Sequence, residues 1–452
     1  MKILVAGCGK IGVTVIDSLS AEGHDVTAID RAPATLESIT NVYDVMGVCG
    51  NVADHDVLSE AGAAHADLFV AVTDSDDTNM LSCFLARKMG AKHTIARVRN
   101  PEYNDHSLVF LKQHLGLSLT INPEQLAARE LLNILKFPSA IKVETFSHRN
   151  FEMIELKLKD DSLLDGLNLS QLRTRFDARF LVCMVQRESE VYIPGGSFIL
   201  RSGDRIGLTA SPAEMQKLLR ELGVLQKKAR SVMILGGSRT AFYLARLLEN
   251  GGNSVTLIEK DAAMAAELSA SLAKTVVIHG DGTQQELLLE EDLNAKDALV
   301  ALTGIDEENI LMSIFAASQN VPKVIAKINR DELATLAEGL GLDTIVSPRK
   351  IVSDVVVRYA RALQQSRGSS METLYQLNDG KAEALEFLVQ DEPRLTDIPL
   401  KDLVLKQNVL IAGIIRDRKT IIPSGNDCIL AGDRVIVVAA NQRLQEITDI
   451  LK

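Results

Sequence analysis

The chain has 452 residues, 46 % hydrophobic and 24 % charged, with a formal net charge of −11. That balance supplies a full hydrophobic core and about three domains by length, and it excludes a general nucleic-acid binder or a polybasic membrane-surface protein. No apolar stretch approaches the roughly eighteen residues needed to span a bilayer, no signal peptide precedes the first strand, and the five cysteines (8, 49, 83, 183 and 428) lack C-x-x-C spacing, so a reduced cytoplasm is expected.

Lys2 to Ala6 (KILVA) reads as a strand buried on both faces of a parallel sheet. Gly7, Gly9 and Gly12 follow at once in G-x-G-x-x-G spacing, and Ile11, Val15, Ile16 and Leu19 then recur along one helix face. In this motif the first glycine permits the tight turn and the second lets a diphosphate approach bare backbone. The third lets helix and strand pack closely, while the helix N-terminus supplies free N–H donors. His24 to Asp30 is a second strand ending in a carboxylate eighteen positions after Gly12, close to the spacing at which an acid meets adenosine ribose hydroxyls. A carboxylate there repels a 2′-phosphate, so the expected ligand is NAD(H) or another plain adenosine nucleotide rather than NADP.

Pro33 to Ile39 is predicted as a short helix and Tyr43 to Val48 as a third strand, ending at Gly50-Asn51. Asp67 to Thr73 is a fourth strand, Asp74 to Asn79 carries the N-cap chemistry of a helix reaching Met89, and Thr94 to Val98 is a fifth strand. Such alternation predicts a doubly wound parallel sheet with its ligand beyond the carboxyl strand ends. Asn122-Pro123 opens a long helix through about Lys136. From Ala140 the text becomes β-rich, with turns at Ile193 to Gly196 and Ser202 to Ile206, then a helix at Pro212 to Leu222 and a basic linker at Gln226 to Arg230.

At Ser231 the plan begins again. Val232 to Leu235 matches the first strand, Gly236 to Ala241 the glycine turn, and Val255 to Glu259 the strand ending at Asp30. Asp281 corresponds to Asn51, Thr303 to Thr73, Asn309 to Asn79 and Lys327 to Arg97; Ser347-Pro348 repeats the helix start, and Ile422 to Gly425 with Gly432 to Val435 repeats the hairpin. The fold class is therefore α/β: tandem doubly wound, Rossmann-like domains, each followed by a small α+β domain. The expected boundaries are 1–122, a connecting helix 123–139, 140–225, then 231–346, a second connecting helix 347–368, and 370–452.

The second turn keeps Gly236 but has Ser238 at the middle glycine, placing a Cβ where a diphosphate approaches, although Arg239 and Thr240 follow and Glu259 still offers a ribose acceptor. It reads equally as a nucleotide site, with Asp281 and Thr303, or as a structural duplicate. Neither half carries a Tyr followed four residues later by Lys, a Walker loop, H-E-x-x-H or G-x-S-x-G, and the eight histidines are scattered. Asp74, Asp76 and Asp77 read as helix-capping carboxylates rather than a metal site, and Cys8 as an inert turn residue. Phosphate cradles without reacting groups suggest a sensor that binds nucleotide without turning it over. The alternatives are an NAD-dependent oxidoreductase with an unrecognised catalytic domain and a soluble NAD-linked redox sensor.

GCGKIG with Asp30, AVTDSDDTN (71–79), ARV (96–98), the I-P-x-G and G-D-R hairpins and the tandem duplication together resemble the TrkA family over nearly the whole length. These are peripheral potassium-uptake subunits built from regulator-of-potassium-conductance domains. The resemblance implies self-association into dimers and a ring at the inner face of the cell membrane, beneath a membrane-embedded potassium pore subunit, with NAD(H), ATP or ADP biasing the ring's shape. By motif position it implies that Gly7, Cys8, Gly9, Lys10 and Ile11 hold the diphosphate and Asp30 the ribose. Asn51 and Val52 would hold the adenine, and Thr73, Asp74 and Arg97 the distal part of the ligand.

Overall fold

The structure, a computed structural model, describes residues 1–100, 103, 105–146, 151–188, 190–224, 228–365, 371–377, 381–390 and 392–452. The expected linker at 226–230 lies partly outside them. The first half opens with β1 (Lys2–Ala6), α1 (Lys10–Ala21), β2 (Asp25–Asp30), α2 (Pro33–Thr40), β3 (Met46–Cys49) and α3 (His55–Glu60). It continues through β4 (Leu68–Ala71), α4 (Asp76–Met89), β5 (His93–Arg97), α5 (Asp105–Leu115) and β6 (Leu119–Ile121) to the long helix α6 (Pro123–Lys136). The six strands form one parallel sheet in the order β3-β2-β1-β4-β5-β6, so the strand order reverses between β1 and β4, next to the glycine turn.

This sheet has one strand more than the five expected, because β6 is only three residues long and shows no periodicity of its own. The third strand is also shorter than Tyr43 to Val48: Tyr43 to Val45 close a turn, and pairing with β2 begins at Met46 opposite Thr27. Ser75, not Asp74, caps α4, its hydroxyl accepting the Thr78 N–H at 3.2 Å.

The first small sheet contains β7 (Lys142–Phe146), β8 (Phe151–Lys157), α7 (Leu169–Arg175), β9 (Leu181–Arg187), β10 (Glu190–Tyr192), β11 (Arg205–Ala210) and α8 (Pro212–Glu221), with strand order β10-β9-β11-β8-β7. The second half repeats the first. It runs β12 (Ser231–Leu235), α9 (Arg239–Asn250), β13 (Ser254–Glu259), α10 (Ala262–Ser271), β14 (Val276–His279), α11 (Gln285–Glu290), β15 (Ala298–Ala301) and α12 (Asp306–Ser318). Then come β16 (Lys323–Lys327), α13 (Asp331–Gly339), β17 (Ile345–Val346) and α14 (Pro348–Gln365). The parallel order β14-β13-β12-β15-β16-β17 reproduces the first sheet. A second small sheet follows, β18 (Met371–Leu377), β19 (Ala382–Leu388), β20 (Val409–Arg416), β21 (Lys419–Ile421) and β22 (Arg434–Ala440), in the order β18-β19-β22-β20-β21.

The two halves exchange helices. Ala128, Leu131, Ile134 and Leu135 of α6 join the core of the second parallel sheet beside Leu244 and Leu248 of α9. Reciprocally, Val352, Val356, Val357 and Ala360 of α14 join Val15, Ile16 and Leu19 of α1. Each buried Val or Leu contributes roughly 1.5–3 kcal/mol, so the crossings hold the halves together. The two small sheets meet face to face through Phe146, Phe151, Met153 and Met184 on one side and Ala384, Ala412, Ile436 and Val438 on the other. Four sheets are thus arranged about a pseudo-two-fold relation, and the carboxyl ends of both parallel sheets open on one space.

Candidate functional site

That space is a cavity of about 920 Å³ lined from both halves. Gly9 and Lys10 of α1, Ser75 of α4, Pro123 of α6, Ser238 and Arg239 of α9, and Pro348 of α14 all face it, so five helix N-termini converge. Each presents unpaired N–H groups and a fractional positive charge of about one half. Side chains reinforce the sign: Lys10, Arg31, Arg97, Arg99, Arg239, Lys327 and Arg349 line the cavity, against Asp30, Asp74 and Glu124. Seven cations and three anions leave a local excess of four positive charges in a chain whose net charge is −11. The cavity thus has the charge and the free N–H donors that attract anionic groups.

The glycine turn does what its spacing requires. Gly7 has φ +94°, and a Cβ on it would meet the Thr73 backbone at 2.7 Å. At Gly12 a Cβ would fall 1.9 Å from the Gly7 carbonyl oxygen, whereas at Gly9 it would meet no protein atom within 4 Å. The middle glycine therefore faces open cavity. In the second half the equivalent Ser238 caps its own helix, its hydroxyl accepting the Ala241 N–H at 3.3 Å.

Asp30 stands at the end of β2 with both oxygens oriented by backbone: Oδ2 accepts the Cys8 N–H at 2.7 Å and Oδ1 the Ala32 N–H at 2.9 Å. Each oxygen keeps a further lone pair for a ribose hydroxyl. The Cys8 side chain is buried, and burial with the Asp30 charge pushes its thiol up to about 12, so no thiolate forms near neutral pH. That chemistry fits an inert turn residue.

Beyond the turn, Asn79 is fully buried at the first turn of α4 and locks two strand ends together. Its Oδ1 accepts from the Thr73 N–H (2.8 Å) and Thr73 Oγ1 (2.7 Å), while its Nδ2 donates to the Arg97 carbonyl (3.0 Å). Arg97 in turn donates to the Thr73 carbonyl and keeps Nε without a partner. Burial lowers its pKa, with Arg99 adding and Glu124, Asp76 and Asp74 opposing. Lys327 is likewise lowered by burial, against Asp306 and Glu124. Partly desolvated cations beside an unpartnered buried Glu124 Oε2 are groups that a polar ligand would satisfy. Asp76 is committed elsewhere, holding the Arg99 and Asn100 N–H groups at 2.7 Å each. Among the described residues no group of three His, Cys, Asp or Glu side chains has the geometry to hold a metal.

Of the sequence candidates, Gly7, Gly9, Lys10, Ile11, Asp30, Val52, Thr73, Asp74 and Arg97 line this cavity, and so do Ser238, Arg239 and Thr240 of the second half. Cys8 touches it only through its bond to Asp30. Asn51 does not line it directly, but its Oδ1 accepts from the lining residue Arg31 at 2.7 Å and from the Ala53 N–H at 3.1 Å. Gly236, Glu259, Asp281 and Thr303 do not line it. Glu259 accepts from the Gly237 and Asp261 N–H groups, the same pair of backbone bonds that Asp30 makes with Cys8 and Ala32, Asp281 accepts from both N–H and hydroxyl of Thr283, and Thr303 bonds Asn309 as Thr73 bonds Asn79. Leu268 Cδ1 lies only 2.6 Å from where a Cβ on Gly237 would stand. Sequence reasoning missed Arg31, Arg99, Glu124 and Arg349, took Arg239 only as an element of a separate second site, and noted Lys327 only as the repeat counterpart of Arg97. The usable signal was the helix starts Asn122-Pro123 and Ser347-Pro348, which deliver Glu124 and Arg349 to the cavity.

The TrkA-N domain model matches residues 3–123 and 232–348, and the TrkA-C domain model matches 153–223 and 384–452. The chain is similar to a Trk system potassium uptake protein TrkA homolog of Archaeoglobus fulgidus, with 34 % identity over 453 residues and 100 % of both chains covered. It is also similar to the Trk system potassium uptake protein TrkA of Haemophilus influenzae, with 30 % identity, covering 98 % of this chain and 96 % of that one. Among solved structures, the GsuK channel bound to NAD superposes with a TM-score of 0.63 at 17 % identity, over 99 % of this chain and 78 % of that one. At that identity the likeness concerns the fold. Among the described residues, no helix is long and apolar enough to cross a membrane.

Proposed function

This chain belongs to the TrkA family, and on that premise we propose that it is a nucleotide-binding regulatory subunit of a potassium uptake system rather than an enzyme. The carrying observation is the single cationic cavity shared by both halves, rich in anion donors and without a catalytic cassette. NAD(H) lies with its diphosphate on Gly7 to Ile11, its adenosine ribose on Asp30 and its adenine against Val52. The distal end reaches Thr73, Asp74 and Arg97. ATP or ADP takes the same cradle, with terminal phosphates toward the cations of the second half, Arg239, Lys327 and Arg349.

A ligand held between halves changes their mutual position only through its difference in affinity for two arrangements. That is the physical basis for biasing a membrane-embedded potassium pore subunit from the cytoplasmic face. The chain takes one nucleotide, because the second half lends its helix N-terminus to the first site while its own ribose acid, Glu259, does not line the cavity. Self-association into a ring is supported by apolar side chains at matching places in both halves. Leu81 and Leu311 are each the sixth residue of α4 and α12, and both are about half exposed or more; Phe110 of α5 and Leu340, which closes α13, are exposed as well.

The test is calorimetry with NADH, NAD, ATP and ADP on the intact chain, followed by co-purification with the pore subunit with nucleotide added and withheld. One nucleotide per chain, a nucleotide-dependent yield of the pore subunit and no cofactor turnover are expected. Sustained oxidation of NADH with a small alcohol or acid would transfer the reading to an oxidoreductase, and an absence of nucleotide binding would end it.

A further inference from the structure

Helices α1 and α14 run side by side in the same direction away from the cavity, although they belong to different halves. Near their starts Ser353 Oγ donates to the Thr14 carbonyl at 3.2 Å. Eight residues farther along each helix, Arg361 meets Glu22, the residue that closes α1. Arg361 Nε and Nη2 donate to the two Glu22 carboxylate oxygens at 2.6 and 2.7 Å. The same guanidinium donates through Nη1 and Nη2 to Glu383, the second residue of β19, at 2.9 and 2.7 Å. All three side chains are less than a tenth exposed, and Arg443 stands 3.7 Å from Glu22. One planar cation thus joins the far end of the cavity helix to a central strand of the second small sheet, a two-sided fork that lysine does not reproduce.

Among the described residues the other half has no equivalent three-way fork. The residue closing α9 is Gly251, which offers no carboxylate, and the fourteenth residue of α6, equivalent to Arg361, is Lys136. Glu152, the second residue of β8 and the counterpart of Glu383, is buried with Oε2 lacking a hydrogen-bond partner. The pseudo-two-fold relation therefore fails at the place where the cavity helices reach the small sheets.

We infer that Arg361 is a positioning residue that carries displacement of α1 to the second small sheet, so that nucleotide binding in the shared cavity reorganises the second small sheet and leaves the first comparatively undisturbed. This rests on the nucleotide-binding reading above. α1 has 12 residues and spans about 18 Å, a length over which a helix moves as one body. A buried carboxylate that loses its cation is strongly unfavourable, so the junction holds while α1 shifts.

The experiment is hydrogen exchange by mass spectrometry on the full chain with and without NADH, in the wild type, Glu22→Gln and Arg361→Lys, with calorimetry of NADH on each. Glu22→Gln cuts the link to α1 and leaves Glu383 its cation; Arg361→Lys keeps the charge and loses the fork. In the wild type NADH should slow exchange in Ala382–Leu388 by roughly threefold or more, with a smaller change in Phe151–Lys157. Both variants should lose most of that protection while the NADH dissociation constant stays within about threefold of wild type. Undiminished protection of Ala382–Leu388 in Glu22→Gln overturns the inference, as does equal or absent protection of the two sheets in the wild type. Failure of the wild-type chain to bind NADH would instead remove the functional reading, and this inference with it.

Discussion

Gly9 and Gly12 are three residues apart and respond to a methyl group in opposite ways. Gly9 has φ −70° and ψ −172°, a conformation any residue adopts, and its Cβ would point into empty cavity. Gly9→Ala should therefore fold with a loss of no more than about 1 kcal/mol, the difference between glycine and alanine at a helix N-cap, while the dinucleotide dissociation constant rises about tenfold or more. Gly12→Ala drives its Cβ into the Gly7 carbonyl and should cost about 1–3 kcal/mol of stability through backbone displacement. Thermal melts with calorimetry on both variants separate the effects; tight binding by Gly9→Ala would place the diphosphate elsewhere. These glycines and Asp30 could be read from sequence because the motif is backbone geometry written as spacing. Arg239, Lys327 and Arg349 could not be placed that way. Nothing in the chain text says that a second glycine turn faces the first across one cavity.

The crossing of α6 and α14 is where element identity and element packing part company. Their caps, lengths and apolar faces are plain in the sequence, and α6 ends where expected, at Lys136. Weaker elements such as α3, α5 and β6 were missed, because six to eleven residues with partly exposed faces, or three residues of strand, carry too little periodicity. At the crossing, Glu130 of α6 and Asp354 of α14 share an environment with Lys142 and Glu144 of β7 and Arg358 of α14. Burial pushes Glu130 up to about 7, with Glu144 and Asp354 adding and Lys142 and Arg358 opposing; burial likewise pushes Asp354 up to about 6, against Lys142 and Arg358. The folded state thus holds protons that the unfolded chain has released above about pH 4.5, so these groups favour folding at low pH and that contribution is lost as pH rises through 6 to 7. Glu130→Gln should flatten this dependence. Urea unfolding at pH 5.5 and 8 should show wild type losing on the order of 1–3 kcal/mol more than the variant between the two conditions, and parallel losses would exclude Glu130 as the titrating group.

At the scale of the whole molecule, the duplication makes one chain the equivalent of a symmetric dimer. Val352, Val356 and Ala360 announce that α14 is buried, but an apolar stripe does not say which of two similar halves covers it, so the exchange of helices was not readable from periodicity. The exchange has a consequence for the isolated first half, residues 1–224. Cut from its partner, that fragment leaves Val15, Ile16 and Leu19 of α1 uncovered and presents the α6 face of Ala128, Leu131 and Leu135 with nothing to cover. α6 sits on α9 in the intact chain, and α9 is the counterpart of α1, so α6 of one fragment has the shape to seat on α1 of another. Two fragments then satisfy each other reciprocally, as an isologous interface demands. Light scattering coupled to size exclusion should find the 1–224 fragment at twice its chain mass at micromolar concentration, with a melting temperature that rises with concentration. A well-folded monomer with concentration-independent melting would mean that α1 finds its cover within one half, and the helix exchange would then be incidental to stability.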